Sequence, residues 1–84
     1  MERKELFDEE GLRLFAEHLK QLRKSKGVSQ EELSYRSGLV LSQIARIETA
    51  RTNPRLSTLF QIARGLDIEL AELFNFRLQP KQQS

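Results

Sequence analysis

The chain has no cysteine among its 84 residues, which excludes a disulfide framework and a thiolate metal site. Its single histidine, His18, falls in an amphipathic stretch with no evident nucleophile to activate. The carboxylates are scattered over helical faces or bunched at the start, and the four glycines form no phosphate-binding loop. Catalysis, a bound metal, a cofactor and a small-molecule ligand are therefore not expected. No apolar run approaches the ~20 residues that a membrane-spanning helix needs. The opening, MERKELFDEE, lacks the apolar centre of a secretory signal, so the expected location is the cytoplasm, with no membrane partner. Strands are missing too, because nothing alternates with period two over a useful length.

What remains is enough for one helical domain. At 38% apolar and 31% charged residues, the composition is that of a soluble globular chain, and 84 residues are too few for two cores. The net charge of +2 hides an uneven distribution. Residues 1–12 hold five acidic side chains against two basic ones. Between His18 and Arg55 there are eight basic side chains against three acidic ones, a local net of +5. A basic body with an acidic head suits a polyanionic partner, though a generally charged helical surface reads the same way.

Leu12, Phe15, Leu19 and Leu22 recur at helical spacing and predict an amphipathic helix over Gly11 to Lys26, with Gly27 placed to cap its end. Leu6 and Phe7 offer a further apolar pair that would extend the helix upstream, an extension that Gly11 weakens. Ser29-Gln30-Glu31-Glu32 reads as a capping box, with Val28 and Leu33 as a hydrophobic staple. The second helix must stop at Ser37, before Gly38. A third carries Val40, Ile44 and Ile47 on one inward face and ends before a loop marked by Asn53-Pro54. Leu56, Leu59, Ile62, Ala63 and Leu66 make a fourth stripe, closed by Gly65, and Leu70, Leu73 and Phe74 a short fifth helix. The polar tail QPKQQS is expected to fray.

The second and third helices, joined by a glycine turn, form a helix-turn-helix candidate. Such pairs occur in many small helical domains, so spacing alone leaves presentation to DNA and plain packing as alternatives. Ser34 and Ser37 are small enough for the two helices to approach closely.

The stretches LRKSKGVSQEEL, SGLVLSQIARIETARTNP and LSTLFQIARGLDIELAELF resemble the XRE family of Cro-type helix-turn-helix regulators. The resemblance covers about residues 12 to 75. It implies an all-α, compact five-helix, lambda-repressor-like DNA-binding domain over 12–75. An acidic N-terminal extension at 1–11 and a C-terminal tail at 76–84 would flank it. The helix at 41–49 would be the recognition helix, with Leu41, Ser42 and Arg46 at base-reading positions and Gln43 and Ala45 beside them. Gln30, Thr49, Arg51 and Asn53 would contact phosphates, and Arg23 and Glu48 would form a supporting ion pair. An exposed pair of that kind adds only ~0.2–1 kcal/mol. Relatives of this kind bind double-stranded DNA as homodimers on two-fold operators, as repressors or autoregulatory controllers. Leu70, Phe74, Phe76 and Leu78 are the expected dimer surface; the alternative is that Phe74 belongs to the core and Phe76 folds back.

Physical chemistry supports the assignment at Arg46, whose planar fork suits guanine O6 and N7 and which lies opposite Ile44 and Ile47. Leu41 departs from the polar reader usual at its position. A branched apolar side chain there matches a thymine methyl group, which predicts a thymine in each half-site. The same departure supports a second reading, a protein-interaction module such as the antitoxin of a toxin–antitoxin pair.

Overall fold

The computed structural model describes residues 7–80, so residues 1–6 of the expected N-terminal extension and the last four of the tail lie outside it. Five helices follow one another: α1 Glu9–Ser25, α2 Gln30–Ser37, α3 Leu41–Glu48, α4 Leu56–Leu66 and α5 Leu70–Leu73. No strand occurs among the described residues, and none of their helices is long and apolar enough to cross a membrane.

Helix α1 starts two residues before Gly11 rather than at it. Asp8 is the reason: its carboxylate accepts the Gly11 N–H at 2.9 Å, and Glu9 and Glu10 complement the helix dipole in the first turn. A Cβ on Gly11 would come within 3.3 Å of the Asp8 carboxyl carbon, so glycine leaves room for the cap instead of breaking the helix. At the other end Gly27 is left-handed, with φ +69°. The Val28 N–H bonds back to the Arg23 carbonyl at 3.0 Å and the Gly27 N–H to that of Lys24 at 2.9 Å, a Schellman closure.

Ser29 caps α2 by accepting the Glu32 N–H at 3.0 Å. The reciprocal arm of the expected capping box is diverted, because the Glu32 carboxylate pairs with Arg36 one turn on. Gly38 ends α2 in the left-handed region at φ +80°. Side chains then hold the turn: Ser34 Oγ donates to the Leu39 carbonyl at 2.6 Å, Ser37 Oγ accepts the Leu39 N–H at 3.2 Å, and Gln61 Nε2 donates to the Ser37 carbonyl at 3.1 Å. These bonds satisfy groups that a helix end leaves unpaired, and they set the direction in which α3 departs.

The core collects Phe15 and Leu19 of α1, Val28, Leu33 of α2, Leu39, Ile44 and Ile47 of α3, Ile62, Ala63 and Leu66 of α4, and Leu73 of α5. Helix α2 packs chiefly on α4, and α1 on α3. His18 Nε2 lies 2.8 Å from the Glu72 carbonyl, so the sole histidine pins α5 to α1. Leu56, placed in the α4 stripe by its spacing, is exposed at the first turn, where the helix has not yet reached the core.

Gly65 does not close α4. It lies inside the helix, which runs to Leu66 and ends on Asp67 in the left-handed region at φ +59°. Its lack of a side chain serves the α2–α4 contact: a Cβ would stand 2.9 Å from Leu33 Cδ1, 3.1 Å from Ser37 Cβ and 3.3 Å from Ser37 Cα. Helix propensity alone would make Gly65→Ala stabilising by up to ~1 kcal/mol. Overpacking against the α2 backbone costs about 1–3 kcal/mol, so the expected net result is a lower thermal midpoint, read by circular dichroism.

Candidate nucleic-acid interface

Helix α3 has an inward face of Ile44, Ile47 and Glu48, all buried, and an outward face. Leu41, Ser42 and Arg46 are exposed there, with Ala45 half-buried between them. The fold therefore brings the three residues implied as base readers onto one open surface. Gln43, half-buried, turns to the side and lines a cleft of about 440 Å³ shared with Asn53, Arg55 and Ser57.

Val40 is a correction. It was expected to turn inward four residues before Ile44, but it is 62% exposed. It is the N-cap of α3, with extended dihedrals of φ −74° and ψ 151°, so the helical i, i+4 relation does not reach it. Leu39 takes the buried place instead. Since valine supplies no capping oxygen, no side chain bonds to the first turn of α3. Leu41, 41% exposed, extends the apolar start next to Val40.

Behind α3 lies a buried charge cluster. Arg23 is 8% exposed and Glu48 3%. Arg23 Nε donates to Glu48 Oε2 at 2.6 Å and Arg23 Nη2 to Oε1 at 2.9 Å, a two-pronged pairing. The third guanidinium nitrogen, Nη1, donates to the Val28 carbonyl at 2.9 Å, just before the α2 cap. Hydrogen bonding to Glu48 raises the Arg23 pKa above its ordinary value, against the opposing effect of burial, and the carboxylate charge adds to the rise. One side chain thus ties α1 to the start of α2 and the end of α3.

Gln30 joins this cluster, donating from Nε2 to Glu48 Oε1 at 2.9 Å. Sequence spacing gave no sign of that bond, because 18 residues separate the partners. It holds the Gln30 amide in one orientation at the first turn of α2, beside the recognition helix candidate. The Thr49 hydroxyl is turned back onto α3, donating to the Ala45 carbonyl at 2.9 Å. Ala50 follows in the left-handed region at φ +59°, and the Arg51 N–H closes onto the Arg46 carbonyl at 2.9 Å. That closure sends Arg51 and Asn53 outward, both exposed. Arg55 and Ser57, in the same cleft as Gln43, were not singled out by the sequence reading. Arg55 was visible there only as part of the basic excess.

Among the residues implied for a dimer surface, Leu70, Phe74 and Leu78 are exposed. Phe76 is different: it folds back onto the core, with ring centroids 6.2 Å from Phe15 and 5.4 Å from His18. Phe74, Phe76 and Leu78 frame an apolar cleft of about 250 Å³ with Phe15, Leu59 and Pro54.

The helix-turn-helix family pattern matches residues 19–73, which span α2, the turn and α3 together with most of their supports. The chain belongs to the helix-turn-helix family. An uncharacterized HTH-type transcriptional regulator of Sinorhizobium fredii is 43% identical over 54 residues, which cover 64% of this chain. The matched part spans only 28% of that relative's length. The restriction-modification controller protein of Aeromonas hydrophila known as C.AhdI shares 41% identity and superposes with a TM-score of 0.73, over 75% of this chain and 96% of its own. A second controller, C.Esp1396I, solved as a tetramer on its natural 35 base-pair operator, shares 31% identity with a TM-score of 0.72. That match covers 76% of this chain and 84% of the controller.

Proposed function

We propose that this protein is a sequence-specific, double-stranded-DNA-binding transcriptional regulator that acts as a homodimer on a two-fold operator, as a repressor or an autoregulatory controller. The observation that carries it is the outward face of α3. Leu41, Ser42 and Arg46 stand exposed there, while Glu48 and Arg23 lock the helix from behind. In this reading α3 lies in the major groove, Arg46 offers its fork to a guanine, Ser42 bonds a neighbouring base edge, and Leu41 covers a thymine methyl group. Gln43 and Ala45 approach bases or backbone alongside them. Gln30, oriented by Glu48, meets a phosphate at the start of α2, and Thr49, Arg51 and Asn53 meet the backbone beyond α3. Thr49 must redirect its hydroxyl hydrogen to do so. Leu70, Phe74 and Leu78, with Phe76 as a floor, supply the apolar patch for a second copy. The C.Esp1396I–operator complex supports the reading by its likeness in fold.

Selection of bound duplexes from random DNA tests it. The expected product is a pair of half-sites related by a two-fold axis, about one helical turn apart, each with a guanine and a thymine at set positions. No enrichment at low salt would overturn the reading. The adjoining exposure of Val40 and Leu41 favours a protein partner as the second reading. Retention of a protein by the chain, together with that absence of DNA enrichment, would decide for it.

A further inference from the structure

We propose that the acidic first turn of α1 is a built-in competitor for DNA phosphate at Arg51, and that it lowers the protein's affinity for all duplex sequences alike. This rests on the DNA-binding reading above. Glu9 and Glu10 line one wall of a cleft of about 490 Å³, and Thr49, Arg51 and Thr52 line the other. The acidic residues have a local explanation, since they complement the α1 dipole. That explanation does not extend to what they face. The tertiary fold sets them opposite the loop residues assigned to the DNA backbone, although some forty positions separate them in the chain.

Among the described residues no direct ion pair joins Glu9 or Glu10 to Arg51, so charges lining this one cleft act on one another through solvent, under a screening length of about 8 Å at physiological salt. Arg13, on the same wall one turn along, offsets one of the two carboxylates, and Asp8 at the cap adds a further negative charge. The α1 wall stays net negative. Toward a guanidinium, a carboxylate is the side-chain counterpart of a phosphate oxygen. A DNA backbone reaching Arg51 has to replace that attraction and bear repulsion from the same carboxylates. No base is involved, so the cost falls equally on every sequence and leaves base discrimination by α3 untouched. The device weakens the hold on selected and unrelated duplexes by the same factor.

The test compares the full chain with its Glu9→Gln/Glu10→Gln variant, each made both with Arg51 in place and with Arg51→Ala. Each is titrated against a selected site and an unrelated duplex at ~50 and ~200 mM salt. The variant is expected to bind both duplexes about three- to tenfold more tightly at the lower salt, with their ratio unchanged and the gain shrinking at the higher salt. Most of the gain should vanish in the Arg51→Ala background. Equal affinity of variant and parent, or a gain undiminished without Arg51, overturns the proposal and leaves the DNA reading standing. Failure of the parent to retain either duplex overturns both. Where circular dichroism shows that the double variant loses helix, Glu10→Gln alone carries the same test with a smaller expected gain.

Discussion

Glu48→Ala is expected to lower the unfolding free energy by about 3–5 kcal/mol, the largest effect of any single substitution considered for this chain. The change strands the Arg23 guanidinium, 8% exposed, with one carbonyl partner left at Val28. It also frees Gln30 from its bond to Glu48. A domain of this size holds no more than about 5–15 kcal/mol in total, so the variant should stand near its unfolding transition at room temperature. Urea denaturation followed by circular dichroism reads the loss. The double variant Arg23→Met/Glu48→Met should recover most of it, because no charge is then left buried without a partner. Additive losses in that cycle would mean that the two side chains do not act as a pair.

The pH dependence has a definite sign. The Arg23 pKa is raised in the folded state, chiefly by its hydrogen bond to Glu48. Its contribution to stability is therefore fully present below the unfolded value and is lost only as pH rises through the folded one, in strongly alkaline solution. Across the physiological range the arginine side of the pair stays charged.

Arg46→Ala should weaken binding to a selected site by about 1–3 kcal/mol, roughly five- to 150-fold, while leaving stability nearly unchanged. Arg46 is exposed on α3, one turn from Ser42, so its removal opens no cavity and strands no buried group. In the proposed complex its two guanidinium donors face the two acceptors of one guanine. Losing them should relax the preference at one base pair of each half-site. Affinity for unrelated duplex should fall much less, which separates Arg46 from Arg51, proposed to meet the backbone. Competition titrations against single-base-pair variants of the site measure this. Selectivity unchanged at every position would mean that α3 does not read bases through this residue.

Much of the architecture could be read from local signals, and the errors have local causes. Ser29 and Gly38 bracket α2 as expected, because a cap and a left-handed turn act within a few residues of themselves. In sequence Gly65 reads as a helix end and Gly11 as a weak point for helix extension, yet each lies inside a helix and serves a close approach, to α2 in the first case and to the Asp8 carboxylate in the second. Val40 was placed inward by a helical spacing that starts one residue later. Whether the Arg23–Glu48 pair is exposed or buried is not written in the sequence; it is buried, and this changes the consequence of breaking it by several kcal/mol.

By itself the sequence determined the number and order of the helices, the turn between α2 and α3, and the family. Each is written in caps, periodic apolar stripes and short motifs that work at close range. The tertiary structure alone decided which polar groups became buried partners, as Gln30 did with Glu48. It also decided that Phe76 folds onto Phe15 and His18, and that Glu9 and Glu10 face Arg51. Those outcomes depend on how helices far apart in the chain cross, and burial and electrostatic fields are set by that crossing rather than by any neighbour in sequence.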